Sequence, residues 1–263
     1  MVVEPVKPTH ENSDPIFDPA EPDGLAKSWS PQGRAALKEK ILRELPRWYS
    51  PLAHFLFPAV VGLGVIVGCC LAVRGLRAVE LLTIPLTFIL SNAVEWRAHK
   101  HTLHQRSRLM PILYDRHTPL HHRLYQEDSL AITDWRELSM VLLPSFGIVA
   151  ILSVTLPLLG VAILFGLRNV ALLFTATSTG YVLLYEWLHL TYHLPVDSVV
   201  GRNRLVRRLR RHHARHHNPR LMQRWNMNVT LPLWDWLRGT IYSPPAPGVA
   251  ADAPAGSART EMR

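Results

Sequence analysis

The chain has 263 residues, 48% hydrophobic and 19% charged, with a net charge of +9. That length fits one substantial domain, and the composition leans toward a membrane protein. The only cysteines, Cys69 and Cys70, are adjacent in an apolar run, which excludes a disulfide framework.

Residues 1–33 are polar and proline-rich and read as a disordered arm, with no apolar core to make a cleavable signal peptide. Residues 34–50 read as an amphipathic interfacial helix. Leu37, Ile41, Leu42 and Leu45 share one face, Lys38, Lys40 and Arg43 take the other, and Trp48 and Tyr49 follow as interfacial aromatics. A membrane domain is expected over 51–240, with four apolar runs at about 52–73, 78–94, 140–166 and 170–188. At about 1.5 Å per residue the first run covers roughly 33 Å, enough for a hydrocarbon core of about 30 Å. Pro144 and Pro157 lie in the third run, and Pro157 is a candidate bend or break. Residues 241–263 read as a disordered tail.

Four crossings place the arm, the segment 95–138 and the tail 189–263 on one side. The short turns on the other side hold Arg74, Arg77 and Arg168 between them, while the large polar parts carry many more basic residues. The positive-inside rule makes those parts, and both termini, cytoplasmic. Topology therefore accounts for most of the positive charge. There is no recognition fold, zinc-finger spacing or RNA-binding signature, so no nucleic-acid partner is expected.

The histidines fall in four groups that this topology brings to one membrane face: EWRAHKHTLH with Glu95, His99, His101 and His104; HTPLHH with His117, His121 and His122; YEWLHLTYH with Glu186, His189 and His193; and HHARHH with His212, His213, His216 and His217. His189 and His193 share a helix face, as do His213, His216 and His217. His117 and His121 repeat the four-residue step. His99 and His104 are five apart and cannot share a face of an ideal helix. Either the helix ends or bulges between them, or they address different metals. His101 points away from His99 by about 160° and is left out. Taken alone, the last group also reads as a basic helix on anionic lipid, and His189 and His193 as ordinary interfacial residues. Together they make a metal site, and eight to ten imidazoles suit two ions rather than one. Glu95 and Glu186 stand where each can accept the second N–H of the histidine on its own helix, or pair with a basic neighbour instead.

As a set, His99-x4-His104, His117-x3-His121-His122, His189-x3-His193 and His213-x2-His216-His217 resemble the fatty acid hydroxylase/sterol desaturase superfamily of integral membrane di-iron enzymes. Glu95, Tyr185-Glu186 and the segment LPLWDWLRGT (Leu231–Thr240) look like the fatty acid 2-hydroxylase branch, although the second box has three residues between His117 and His121 where that branch usually has two. The resemblance spans roughly Ala78 to Thr240. It implies an all-α bundle of about four transmembrane helices under a cytosolic histidine-rich cap. It implies two iron ions, replaceable by zinc, on His99, His104, His117, His121, His122, His189, His193, His213, His216 and His217. His212 would be a possible additional ligand, with Glu95 and Glu186 tuning the ions from outside the ligand set.

The activity implied is O2-dependent hydroxylation of a lipid, in the first place a fatty acyl chain. A desaturase or sterol-type oxidase on the same scaffold is the alternative. Two electrons would come from an external ferredoxin or cytochrome b5-like donor, since no cytochrome domain is fused before the bundle. A non-catalytic metal transporter or sensor fits less well, because transporters place ligands at mid-bilayer and these histidines sit at helix ends. The arginines from Arg202 to Arg215 are expected at the membrane surface, anchoring the chain, holding anionic headgroups or docking an acidic donor. The arginine-rich composition and the missing cytochrome domain favour a bacterial inner membrane.

Overall fold

The computed structural model describes residues 30–108 and 110–244. Among these the regular elements are all helical and no strand is present. The disordered arm and tail expected from the sequence lie almost wholly outside the described residues. The chain divides into two compact units, 1–50 and 51–263.

In the first unit, helix α1 spans Pro31–Glu44, capped by Ser30, whose Oγ accepts from Gly33 N at 3.1 Å. It starts and stops earlier than the 34–50 expected. Proline suits the first helical position. At the other end Pro46 forces Leu45 into an extended conformation (φ −59°, ψ 135°) and ends the helix.

The second unit holds α2 (Pro51–Ala72), α3 (Thr83–Ala98), α4 (Pro111–Arg116), α5 (Gly147–Leu164), α6 (Arg168–His193), α7 (Arg204–His216) and α8 (Leu233–Arg238). A 3-10 turn, Ala78–Leu82, leads into α3, and π turns follow α3 at His99–Leu103 and α4 at His117–His121. Helix α6 is the spine: α2, α3, α5 and α7 all pack against it, and α8 rests on α3. Its inner face buries Ala171, Leu172, Thr175, Thr179, Leu183 and Leu190. Helix α2 approaches α6 closely at Gly62, where a Cβ would stand 2.9 Å from Leu183 Cδ1.

Three stretches are long and apolar enough to cross a membrane: Pro51–Ala72, Ala78–Leu103 and Gly147–Leu164. Their outer faces expose Val60, Val67, Leu86, Val94, Val154 and Leu158. Apolar cover of that extent belongs against lipid rather than water, and the chain is a membrane protein. The fourth expected crossing lies within α6, which the other three stretches surround.

The third expected run is not continuous. Leu138–Val141 makes one short helical turn, Leu142 is extended, and α5 begins only at Gly147. Pro144 is the cause: it lacks an N–H and excludes helical geometry for Leu143 before it. The break frees Leu143, whose N–H points to both Glu186 oxygens at 3.3 Å and whose carbonyl accepts from His54 Nε2 on α2 at 2.8 Å. Pro157, expected as a bend or break, sits inside an unbroken α5.

The end of the bundle away from the histidines is closed by Asn169 at the start of α6. Its amide accepts from Arg74 N (3.2 Å) and donates to Arg74 O (2.9 Å) and Glu80 Oε2 (3.0 Å). This pins the α2–α3 turn to the spine, so the carboxyl ends of α3 and α6 meet at the opposite end.

The α2–α6 contact predicts a contrast between two glycines. Gly62→Leu should overpack against Leu183 at a cost of about 1–3 kcal/mol. Gly64→Leu, whose Cβ meets nothing within 4 Å, should leave the melting temperature in detergent unchanged.

Candidate metal centre

Ten histidines converge in two groups of five. His99, His104, His117, His122 and His216 form one, and His121, His189, His193, His213 and His217 the other; all are buried, and within each group the ligand nitrogens lie within 4.8 Å of one another. Four helical segments supply them.

The π turn after α3 resolves the five-residue spacing. His104 N–H bonds His99 O at 3.1 Å, so one widened turn brings the two rings to the same group. A bulge, and not a pair of separate metals, explains His99 and His104. His101, between them, is exposed. The π turn after α4 works in the same way. His122 N–H reaches back to His117 O, and Pro119 inside the turn has no N–H to give to a tighter ladder. His117 and His122 thereby enter the first group and His121 the second, so the four-residue step between His117 and His121 does not pair them. On the regular α7 and its C-cap, His213 and His217 turn to the second group and His216 to the first. Both histidines of α6 serve the second group.

The other ring nitrogens are held mainly by backbone carbonyls. Nδ1–H of His99 donates to Met227 O, of His121 to Met140 O (3.0 Å), of His193 to Leu130 O (2.7 Å), of His216 to Trp225 O (2.9 Å) and of His217 to Tyr125 O. His189 donates to Val141 O. Thr118 Oγ1 donates to Leu103 O at 2.7 Å and so accepts from His104 Nδ1–H at 3.1 Å.

These bonds fix tautomers and leave the Nε2 atoms as bare acceptors. Yet His104 Nε2 faces His216 Nε2 at 3.0 Å, and His121 Nε2 faces His189 Nε2 at 3.2 Å. His193 Nε2 is buried with no partner. Lone pairs facing one another away from water are unfavourable unless a cation lies between them. Imidazole nitrogens bound at about 2.1 Å along neighbouring directions stand roughly 3.0 Å apart, which matches these spacings. The residues fit two metal ions.

Electrostatics agree. Burial, with the neighbouring imidazoles adding to it, holds His117, His121, His122, His213 and His217 well below the usual 6.5, and takes His104 to about 2. Burial likewise takes His216 to about 4. The rings are neutral at physiological pH, the state that binds metal.

Three residues named from the sequence stand elsewhere. His212 turns from both groups and places Nε2 3.0 Å from Asp235 Oδ2. Glu95 and Glu186 do not take the second N–H of His99 and His189, which go to Met227 and Val141. Glu95 instead accepts from the Tyr181 and Thr230 hydroxyls and the Val229 and Thr230 amides. It thus orders the strip that carries the Met227 carbonyl. Glu186 holds the break at Leu143.

Sequence reasoning missed Asp235, Glu137 and Asn92. Asp235 is fully buried and accepts from Trp96 Nε1 (3.1 Å), Met227 N (3.0 Å), Asn228 N (2.8 Å), Thr240 Oγ1 (2.6 Å) and His212. It ties α3, α7 and the 227–228 strip together. Burial pushes its carboxyl up, but the bonds from His212, Thr240 and Asn228 outweigh this and hold it below the usual range. Glu137, also fully buried, accepts from the Tyr125 hydroxyl at 2.8 Å, and the Tyr125 carbonyl holds His217. Asn92 joins Tyr181, Thr230, Leu231 and Trp234. The available signal was a lone acid in the apolar LPLWDW, which must be paired if buried.

A cavity with Leu103, Leu113, Met140 and Leu142 in its wall also includes His117, His121 and His189.

Two outcomes are expected. Asp235→Ala should destabilise the fold by about 3 kcal/mol or more by stranding buried donors, read as a lower urea midpoint in mild detergent. For the metal-free protein, the unfolded chain takes up histidine protons near pH 6.5 and the folded chain does not, so unfolding free energy rises with pH across that window. Its melting temperature should be steady above about pH 7 and fall progressively from pH 6.5 toward 4. A flat profile would contradict the burial of neutral rings.

The fatty acid hydroxylase family model matches residues 84–240, which hold all ten converging histidines and Asp235. No curated protein and no solved structure matches the chain significantly. With more than half of its length in that match and its histidines gathered as described, this chain belongs to the fatty acid hydroxylase family, whose members are lipid hydroxylases and desaturases.

Proposed function

We propose that the protein is a membrane di-iron oxygenase that hydroxylates a C–H bond of a fatty acyl chain. One observation carries this reading: two adjoining groups of five neutral, buried imidazoles turn free nitrogens toward one another, and seven of the ten rings are anchored at the second nitrogen by a backbone carbonyl or a hydroxyl. Such an all-nitrogen set takes iron or zinc, and zinc has no redox chemistry. The overall change balances as R–H + O2 + 2 e⁻ + 2 H⁺ → R–OH + H2O, with both electrons from an external ferredoxin or cytochrome b5-like carrier. When bound, the iron pair supplies the activation of O2 and the oxidation of the C–H bond, which side chains cannot provide.

The chain's own residues supply position and dryness. His99, His104, His117, His122 and His216 hold one ion, and His121, His189, His193, His213 and His217 hold the other. Leu103, Leu113, Met140 and Leu142 would lay the acyl chain along His117, His121 and His189 and exclude water. Helix α6 is the fourth crossing in this reading. Its 26 residues span roughly 39 Å, and its buried Thr175 and Thr179 are tolerated because neighbouring helices, not lipid, surround it. The histidine end faces the cytoplasm under the positive-inside rule, in what we take to be a bacterial inner membrane.

Metal analysis tests the centre. The π turn after α3 contributes only to the first group and α6 only to the second. Iron content should be about two per chain in the unaltered protein and about one in either His99→Ala/His104→Ala or His189→Ala/His193→Ala. Mass spectrometry of lipids from a lipid-producing host tests the reaction. The unaltered protein should add one oxygen to acyl chains, and His216→Ala/His217→Ala, which removes a ligand from each group, should abolish it. Loss of two hydrogens in place of the added oxygen would make the protein a desaturase.

A further inference from the structure

Helix α7 has two faces of opposite character. Leu209, His213 and His216 are buried on one. Arg204, Arg207, Arg208 and Arg211 are exposed, and at 100° per residue they cluster within about 100° on the other side. None of the four pairs with a carboxylate among the described residues. Four like charges along about two turns of helix repel one another, and nothing in the described fold requires them. Beyond α7 the basic surface continues through exposed Arg220 and Arg224, the latter 4.8 Å over the Trp225 ring.

From these observations we propose that the arginine face of α7 is the docking surface for an acidic, soluble one-electron carrier. This rests on the oxygenase reading above, which draws two electrons per turnover from outside the chain. The position supports a protein carrier over a lipid headgroup. The stripe lies directly behind ligands of both histidine groups, one helix diameter of about 10–12 Å away. His216 of the first group and His213 of the second both project from the opposite side of the same helix. A headgroup anchor has no need of that register, whereas an electron carrier gains its short path from it. Trp225 adds a second link from the surface, since its carbonyl accepts from His216 Nδ1–H at 2.9 Å. The carrier would dock twice per turnover, losing one electron each time, and the charge complementarity would set its association rate.

The test uses the full iron-loaded chain in neutral nanodiscs and the triple variant Arg207→Glu/Arg208→Glu/Arg211→Glu, with a reduced plant-type ferredoxin and a soluble cytochrome b5 domain as acidic probes. Stopped-flow oxidation of the probe by the protein should be at least about tenfold slower in the variant, and the rate should lose its steep dependence on ionic strength. Reduction of the same centre by dithionite, a small reductant, should be unchanged, which shows that the centre is intact. Calorimetric titration of probe into protein at low ionic strength should show a complex only with the unaltered chain, and it reads docking whether or not the metal turns over. Equal rates, equal salt dependence and equal binding for the two proteins would overturn the proposal. Unchanged rates with lost binding to phosphatidylglycerol vesicles would overturn it in favour of a lipid anchor. A complex with the probe but a centre that accepts no electrons from any reductant would leave the docking surface standing and remove the oxygenase reading.

Discussion

The structure depends on one constraint: ten uncharged imidazoles must keep bare nitrogens turned inward where no water can satisfy them. A buried ring left to itself would rotate or flip to find a partner. For seven of the ten, what prevents this is the bond at the far nitrogen; Nδ1 of His122 and of His213 has no partner, and packing among the other rings holds them. Met227, Met140, Leu130, Trp225, Tyr125 and Val141 each give a carbonyl to one ring. A net bond of about 1 kcal/mol is modest, but stranding a buried donor costs about 1–3 kcal/mol, so the tautomer is strongly specified. Carbonyls also leave the rings uncharged. A carboxylate at each far nitrogen would have brought buried negative charge into the cap and raised the histidine pKa values.

The carboxylates act one bond further out. Glu95 holds the amides of Val229 and Thr230, Asp235 those of Met227 and Asn228, and Glu137 the hydroxyl of Tyr125. Each fixes a stretch of backbone whose carbonyl fixes a histidine. The arrangement ties the membrane-spanning body to the cap, because Glu95 and Asn92 belong to α3 and Tyr181 to α6, and all three bond to the strip before α8. Rigidity of the apolar bundle is thereby transmitted to the ligand positions, which is what a preorganised centre requires.

Much of this was legible in the sequence and some was not, for identifiable reasons. Apolar length gave the membrane character, helical spacing gave the exclusion of His101, and the family resemblance of the four groups gave all ten converging histidines. The sorting of those ten into two groups was not legible, because it turns on two π turns. An ideal helix separates residues five apart, and only the widened turns at His99–Leu103 and His117–His121 reunite them. Backbone acceptors such as Met227 O leave no mark in a sequence at all. Glu95 and Glu186 were placed on the correct faces but given the wrong partners, since helical spacing shows which side chains share a face and not which loop folds over them. Pro144 was visible, yet its effect on the third run also needed Glu186 and His54 to receive the freed backbone of Leu143.

The two histidine groups share elements as well as a wall. His122 and His217 stack across the divide with ring centroids 4.2 Å apart, and His117 and His121 stack at 5.4 Å. The turn after α4 feeds both groups, as does α7, whereas the turn after α3 and helix α6 feed one each. A displacement of α7 therefore moves ligands of both groups together, and the same helix carries the arginine face and the His212–Asp235 pair. A carrier pressing on α7 would act on a helix clamped at Asp235 and at the Trp225 carbonyl. Helix α7 therefore joins the surface to both histidine groups, and the His212–Asp235 pair fixes its position against the strip before α8.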